Sequence, residues 1–149
     1  MDVGQTHARS RVWVFFYGTF MSARVLREHG VDCESTVPAV LHGHRLTISP
    51  RANLVADPGA VAYGGLALLR DEETDSLYKG LEEDFSLVYR PQSVVTKTPE
   101  GNDRVALCYL CTEMEPAQAE QTYIEEMVRC GEELGLPAEY VEHVRSFGP

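Results

Sequence analysis

A turn that follows an apolar run is the first place in this sequence where we expect chemistry. The run Val12–Tyr17 is dense in β-branched and aromatic residues and ends abruptly at Gly18, which predicts a buried strand followed by a turn. Ser22 can cap a short helix after that turn. Consecutive backbone amides at such a junction can point at an anion or a carbonyl oxygen. An ordinary turn, in which Gly18 takes a positive φ, would give the same pattern.

Three consecutive acidic residues form the second candidate. Glu82, Glu83 and Asp84 stand at the predicted end of a helix and just before a strand. A carboxylate in that position faces the negative pole of the helix dipole, which disfavours its charged form and suits general acid and base work. A solvated acidic patch is the alternative, since the chain carries 23 acidic residues.

Signatures of a metal site or of a nucleophilic residue are weak. Cys108 and Cys111 form a C-x-x-C pattern, but their segment reads as a buried strand, where side chains three apart point to opposite faces. His42 and His44 could chelate a metal, yet no third ligand lies near them in the sequence. No G-x-S-x-G motif is present, so a serine-hydrolase triad is not expected. We predict no metal site.

The composition is that of one ordinary globular domain and excludes several classes of protein. The 149 residues include 13 basic and 23 acidic side chains, which gives a formal net charge of −10. Such a chain repels nucleic-acid phosphates, and its apolar runs fall far short of the ~20 residues that span a bilayer. Residues 1–11 are polar and lack a secretory signal, so we expect a flexible N-terminal tail and a cytoplasmic location. The protein is expected to be a monomer or a homodimer.

Strands and helices alternate along residues 12–149, which we predict to form a single domain. Five strands with small helices between them indicate an α+β fold, a small mixed β-barrel or curved sheet of about five to six strands with short flanking helices. A loop rich in turn-forming residues is predicted over residues 50–59. The predicted strands cover residues 12–17, 37–48 (with a bulge near Gly43), 60–69, 89–97 and 104–112. The predicted helices cover residues 23–29, 71–82, 118–134 and 138–147.

Three segments of the chain together resemble the gamma-glutamylcyclotransferase family. The segment FFYGTFM is similar to the family's opening tyrosine-glycine-serine/threonine loop. The segment SLYKGLEEDFSLVYRPQSVVT is similar to its helix, acidic residue, tyrosine and strand. The segment YIEEMVRCGEELGLPAEYVEHVRSF resembles its C-terminal tail, in which a helix is followed by Gly-Leu-Pro and then Tyr. The three segments follow one another in the family's order, and the resemblance covers nearly the whole chain from Trp13.

The resemblance implies a small mixed barrel and a reaction that needs no metal or cofactor. Members of the family convert a γ-glutamyl amine or peptide to 5-oxoproline and release the amine or amino acid. The α-amine of the substrate attacks its own γ-carbonyl, so the protein supplies geometry, a proton-carrying carboxylate and backbone amides rather than a nucleophile.

The resemblance also implies roles for individual residues. The catalytic glutamate is Glu82 when counted back seven residues from Tyr89, and Glu83 when matched by the acidic residue that follows it. Tyr109 and Tyr123 fall where the family has substrate-side tyrosines, although both also read as core aromatics. The substrate-cradling loop comprises Tyr17, Gly18, Thr19, Phe20 and Met21.

One departure from the family pattern bears on function. Phe20-Met21 replaces the usual polar Asn-Leu ending of the loop, which makes its mouth more apolar. We therefore expect a gamma-glutamyl cyclotransferase acting on a small γ-glutamyl substrate, with two alternatives. One is a non-catalytic module that binds a small ligand on the same fold. The other is an enzyme of altered chemistry, for which the apolar lip would suit a hydrophobic leaving group.

Overall fold

The computed structural model describes residues 10–149, which form a closed five-stranded barrel with helices around it. The strands are β1 (Arg11–Phe16), β2 (Val37–Ile48), β3 (Ala52–Arg70), β4 (Arg90–Lys97) and β5 (Asp103–Leu110). They hydrogen-bond in the order β1-β3-β2-β4-β5. Neighbouring strands are antiparallel except at the closure, where Val14 of β1 pairs in parallel with Leu107 of β5. The predicted mixed α+β architecture is confirmed.

The helices follow the strands that the sequence predicts them to follow. They are α1 (Ala23–Glu28), α2 (Asp71–Phe85), α3 (Gln121–Leu134) and α4 (Ala138–Arg145), with a 3-10 helix over Thr19–Met21. Ser22 caps α1 as predicted, since its hydroxyl accepts a hydrogen bond from the Val25 amide. Within residues 10–149, no helix is both long and apolar enough to cross a membrane.

The predicted N-terminal tail lies almost entirely outside the residues that the structure describes, which begin at Ser10. Arg11, the last residue of that prediction, already belongs to β1 and pairs with Arg70 of β3.

The predicted loop over residues 50–59 is wrong, because most of it belongs to β3. A tight turn at Ser49–Arg51 joins β2 to β3, and Asn53 already pairs with Thr47. The turn-forming residues Asp57, Pro58 and Gly59 lie where the register of the two strands shifts between His42 and His44. This shift confirms the predicted bulge at Gly43, whose φ is +78°. The breakers therefore fill an irregular stretch of one 19-residue strand rather than a loop.

Helix α2 is longer than predicted by almost one turn. It ends at Phe85 instead of residue 82, and Ser86 terminates it in the left-handed conformation with φ of +57°. Helix α3 begins at Gln121 rather than at residue 118, and α4 ends at Arg145 rather than at residue 147. The difference in α2 matters most, since its last turn reaches the cavity described below.

The core fills the barrel and continues under the C-terminal helices. Phe15, Leu66 and Leu69 on the strands are at most 1% exposed. Ile124 and Met127 on α3 are equally buried. Burial of one such side chain contributes about 1.5–3 kcal/mol, so the helices are packed firmly against the strands that carry the candidate site.

Candidate functional site

The loop after β1 leads directly into a cavity that the described residues form. Gly18 has φ of −107°, so it does not need the freedom of a positive φ. It is instead required for close approach, since a Cβ at this position would lie 3.3 Å from the Cβ of Ala52 and 3.6 Å from the hydroxyl of Tyr123. The 3-10 helix over Thr19–Met21 follows it, and the first amides of any such helix lack a partner inside the helix.

The cavity has a volume of about 340 Å³ and opens to solvent on one side. Tyr17, Gly18, Thr19, Phe20 and Tyr123, all predicted site residues, line it. The remaining walls come from the β2–β3 turn, one face of α2 and the segment before β4.

Met21 is the member of the predicted loop that does not line this cavity. Its side chain is fully buried in the core, and its carbonyl oxygen accepts a hydrogen bond of 2.7 Å from the hydroxyl of Thr36. Met21 therefore anchors the end of the loop.

Tyr109 lies behind the cavity wall. It is 8% exposed, and its ring stacks on Tyr78 with a centroid distance of 4.1 Å and an interplanar angle of 10°. Its carbonyl oxygen accepts a hydrogen bond of 2.6 Å from the hydroxyl of Tyr17. Tyr78 lines the cavity itself, so Tyr109 supports the wall from β5.

Two tyrosines fix the backbone of Ala52 at the base of the cavity. The hydroxyl of Tyr123 accepts a hydrogen bond of 3.0 Å from the Ala52 amide. The hydroxyl of Tyr89 donates a hydrogen bond of 2.7 Å to the Ala52 carbonyl oxygen. Since these tyrosines come from α3 and from the segment before β4, three distant parts of the chain meet at one residue.

The tyrosines around the cavity are poor acids in this environment. Burial raises the pKa of Tyr17 and of Tyr78 well above the ordinary value for a phenol. Burial also raises the pKa of Tyr89 and of Tyr123, although the nearby Arg51 opposes the shift at both phenols. These hydroxyls therefore stay protonated near neutral pH and act as hydrogen-bonding groups rather than as bases.

Arg51 brings a positive charge to the cavity wall. Its guanidinium carbon lies 4.1 Å from the ring centroid of Phe85 and 4.2 Å from that of Tyr123. Both distances fit cation–π contacts. The side chain is half-buried, and Phe85 comes from the last turn of α2.

The face of α2 toward the cavity carries one carboxylate. Leu77, Gly80, Leu81 and Asp84 line the cavity, at the spacing of three and four residues that marks a single helix face. Glu82 and Glu83, the predicted catalytic residues, are exposed as Asp84 is, but neither of them lines the cavity.

His29 is a further titratable group on the cavity wall, next to Phe20. Its Nδ1 lies 2.9 Å from the carbonyl oxygen of Val25. A carbonyl oxygen accepts but cannot donate, so Nδ1 carries the proton and Nε2 is left as the acceptor of the neutral ring.

Sequence reasoning did not select Arg51 or His29, and it named Asp84 as part of the acidic run Glu82–Asp84 without choosing it as the catalytic carboxylate. The helical spacing Leu77, Leu81, Asp84 was a signal for the carboxylate, because it continues one face of the predicted helix. No comparable signal existed for Arg51, since the predicted loop over residues 50–59 concealed that it belongs to the tight turn between β2 and β3. Among the described residues, no group of three or more His, Cys, Asp or Glu side chains is arranged to hold a metal ion.

The AIG2-like family model matches residues 63–144, which is more than half of the chain. The match runs from the second half of β3 through α4, and it includes the cavity-lining part of α2 as well as Tyr89 and Tyr123. Among curated protein sequences, no significant match is found.

Solved structures share the fold over almost the whole chain. A protein described as a gamma-glutamyl cyclotransferase superposes with a TM-score of 0.79 at 21% identity, covering 94% of this chain and 89% of that one. An uncharacterized protein from Homo sapiens gives a TM-score of 0.76 at 23% identity, covering 95% and 90%. YkqA from Bacillus subtilis gives 0.75 at 27% identity, covering 95% of this chain and 55% of its own.

The family match and the shared fold agree with the three segments that resemble gamma-glutamylcyclotransferases. Likeness below 25% identity shows the fold, whereas the family model covers the sequence itself. The chain therefore belongs to the AIG2-like family and has the gamma-glutamyl cyclotransferase fold.

Proposed function

We propose that this protein is a gamma-glutamyl cyclotransferase that releases 5-oxoproline and a free amine or amino acid from a small γ-glutamyl compound. The observation that carries the proposal is the meeting, in one cavity, of the Tyr17–Phe20 loop and the carboxylate of Asp84. The fold shared with a protein described as a gamma-glutamyl cyclotransferase supports it.

The reaction requires the substrate to fold back on itself. Its α-amine forms a bond to the γ-carbonyl carbon, and the bond from that carbon to the leaving nitrogen breaks. The α-nitrogen loses two protons on passing from an ammonium to a lactam N–H. The leaving nitrogen gains one proton as its bond to carbon breaks, and the second goes to solvent or to the released amine, so a group that takes a proton from the α-nitrogen and delivers one to the leaving nitrogen completes the reaction. A cavity that holds the substrate in this geometry removes much of the entropic barrier.

Asp84 is our choice for the proton carrier because it is the one acidic residue among the described residues that line the cavity. The neighbouring tyrosines cannot serve, since burial holds the pKa of their phenols above the physiological range. Amides of the loop after β1 would hold the oxygen of the γ-carbonyl as it gains negative charge.

The test is a 5-oxoproline assay on a panel of γ-glutamyl amines and dipeptides with matched carboxylate variants. Asp84→Asn is expected to lower kcat at least 100-fold, the scale of a lost general acid–base group. Glu82→Gln and Glu83→Gln change the same charge on the same helix, and we expect both to retain activity. Loss of activity in either glutamine variant, with Asp84→Asn active, would reassign the carboxylate.

His29→Gln completes the panel. Loss of turnover in this variant together with full activity in Asp84→Asn would assign the proton transfer to the imidazole. The cyclotransferase proposal itself fails if wild-type protein forms no 5-oxoproline from any compound of the panel.

A binding module without turnover is the second candidate function. It is favoured by the apolar residues Leu77 and Leu81, which line the α2 wall while Glu82 and Glu83 lie outside it. A ligand that binds the folded state stabilises it by mass action. Thermal stabilisation by γ-glutamyl compounds without product formation would support this function.

A further inference from the structure

We propose that Arg51 is the anion-binding residue of the cavity and that the ligand presents a carboxylate to it. The choice of a γ-glutamyl compound as that ligand rests on the proposed function, whereas the anion site does not. Sequence reasoning gave Arg51 no role, because it fell in a predicted loop.

The first argument is the way in which the guanidinium is held. Its central carbon lies over the ring of Phe85 at 4.1 Å from the centroid and over the ring of Tyr123 at 4.2 Å. Ring faces attract the cation but offer no oxygen acceptor to its five N–H donors. The two contacts therefore hold the guanidinium at the cavity wall without a hydrogen bond to a protein oxygen.

The second argument is that these donors have no anionic partner in the protein. Among residues 10–149, Arg51 makes no ion pair and no side-chain hydrogen bond, and it lines the cavity. Other arginines differ, since Arg24 contacts Glu126 and Glu133, and Arg45 contacts Asp57. A half-buried guanidinium without a carboxylate is the arrangement that an incoming carboxylate would complete.

The third argument is pre-organisation of the backbone. The amide and the carbonyl oxygen of Ala52, the next residue, are both bound by tyrosine hydroxyls. The root of the Arg51 side chain is therefore fixed before a ligand arrives, which lowers the entropic cost of binding.

The fourth argument is the charge pattern of the cavity. Arg51 and Asp84 both line it and carry opposite charges, while the chain as a whole carries −10. A zwitterion with an ammonium and a carboxylate would be complementary to this pair. Since the protein surface repels anions, local recognition by Arg51 supplies the attraction that overall charge does not.

The experiment measures binding and turnover separately in wild type, Arg51→Gln and Arg51→Lys. Calorimetry compares L-5-oxoproline, which has a carboxylate, with its neutral amide. We expect wild type to bind the acid more tightly, and Arg51→Gln to weaken acid binding about 10- to 100-fold while leaving the amide unchanged. Arg51→Lys keeps the charge and should retain part of the preference. Arg45→Gln, on the surface, is the matched control.

Turnover distinguishes the two possible sources of the carboxylate. γ-Glutamylmethylamine has the α-carboxylate alone, whereas γ-glutamylglycine has a second one on its leaving group. If Arg51 binds the α-carboxylate, Arg51→Gln lowers kcat/KM equally for both compounds. If it binds the leaving group, γ-glutamylglycine alone is affected, and the affinity for 5-oxoproline is unchanged.

The outcomes separate failure of this inference from failure of the proposed function. If wild type makes no 5-oxoproline but binds it in an Arg51-dependent way, the anion site stands and the cyclotransferase proposal falls. If Arg51→Gln matches the Arg45→Gln control with every compound, the anion site is overturned. Unchanged thermal unfolding of Arg51→Gln verifies that the variant is folded.

Discussion

The hydroxyl of Tyr17 donates a hydrogen bond of 2.6 Å to the backbone carbonyl oxygen of Tyr109. This bond joins the loop after β1 to β5. The strands β1 and β5 themselves pair directly at the closure of the barrel. The Tyr17 phenol thus ties the loop that lines the cavity to the strand at which the barrel closes.

We expect Tyr17→Phe to lower the free energy of unfolding by about 1–2 kcal/mol, because the buried carbonyl of Tyr109 loses its donor. Urea denaturation measures the effect. Tyr63→Phe is the matched control, since the Tyr63 phenol makes no hydrogen bond among the described residues while its ring packs on Tyr140. Equal stability of the two variants would contradict a structural role for the bond.

Gly64→Ala is expected to destabilise the protein by about 3 kcal/mol or to prevent folding. A Cβ at Gly64 would overlap the carbonyl oxygen of Phe16 on the neighbouring strand, and it would lie 3.0 Å from the ring of Phe15. Overpacking of this kind forces the backbone to shift. Gly59→Ala, also in β3, meets nothing within 4 Å and should leave the denaturation midpoint nearly unchanged. A soluble Gly64→Ala protein of wild-type stability would refute the prediction.

Substitutions at Gly80 can test stability and cavity size independently. It lies inside α2 on the cavity face, and a Cβ there meets no atom within 4 Å. We expect Gly80→Ala to raise the free energy of unfolding by about 1 kcal/mol, because glycine is a poor helix former. Gly80→Leu should fold as well but weaken ligand binding, since its side chain would enter the cavity. Ligand affinity of Gly80→Leu equal to wild type would show that the ligand does not use this wall.

Glu133 provides a prediction on the pH dependence of stability. Hydrogen bonds from Arg24 at 2.9 Å and from Ser22 at 2.9 Å hold the pKa of this carboxyl below its ordinary value of 4.5. A carboxyl whose pKa is lowered by folding stabilises the protein above its unfolded pKa, and this contribution is lost as the pH falls through the folded pKa.

We therefore expect Glu133→Gln to cost about 1 kcal/mol at pH 7, the upper end for partly exposed ion pairs. The difference from wild type should shrink as the pH is lowered below about 4.5. Thermal unfolding between pH 7 and pH 3 measures it. Glu142→Gln removes a more exposed pair with Arg145 and serves as the control. A difference that stays constant over this range would contradict the linkage.

The strand and helix order was predictable because the alternation of residue types is local. Val12–Tyr17 reads as a strand from its own side chains, and the bulge at Gly43 was visible as a glycine inside an alternating run. The strand conformation of most of residues 50–59 was not predictable, because Asp57, Pro58 and Gly59 are residues that usually interrupt strands. These residues belong to β3 because they lie beside β2, and the local sequence of the segment gives no information about that neighbour.

The candidate site was likewise predictable only in the parts that the local sequence marks. The loop after β1 and Tyr123 were identified and line the cavity. The carboxylate was less accessible to sequence reasoning, because a helix turns by about 100° per residue and neighbouring acids therefore face different directions. The three residues by which α2 exceeds its predicted end include Asp84, which lines the cavity whereas Glu82 does not. Arg51 depends on two rings distant in sequence and could only emerge from the assembled structure.

The hydrogen bond from Ala52 to the Tyr123 hydroxyl has a consequence for how the protein opens. Helix α3 meets the cavity through Tyr123, so any local unfolding that detaches α3 also dismantles the floor of the cavity. A ligand bound in the cavity opposes that opening by mass action. Amide hydrogens in α3 should then exchange more slowly when the cavity is filled, although nearly all of that helix lies away from the ligand.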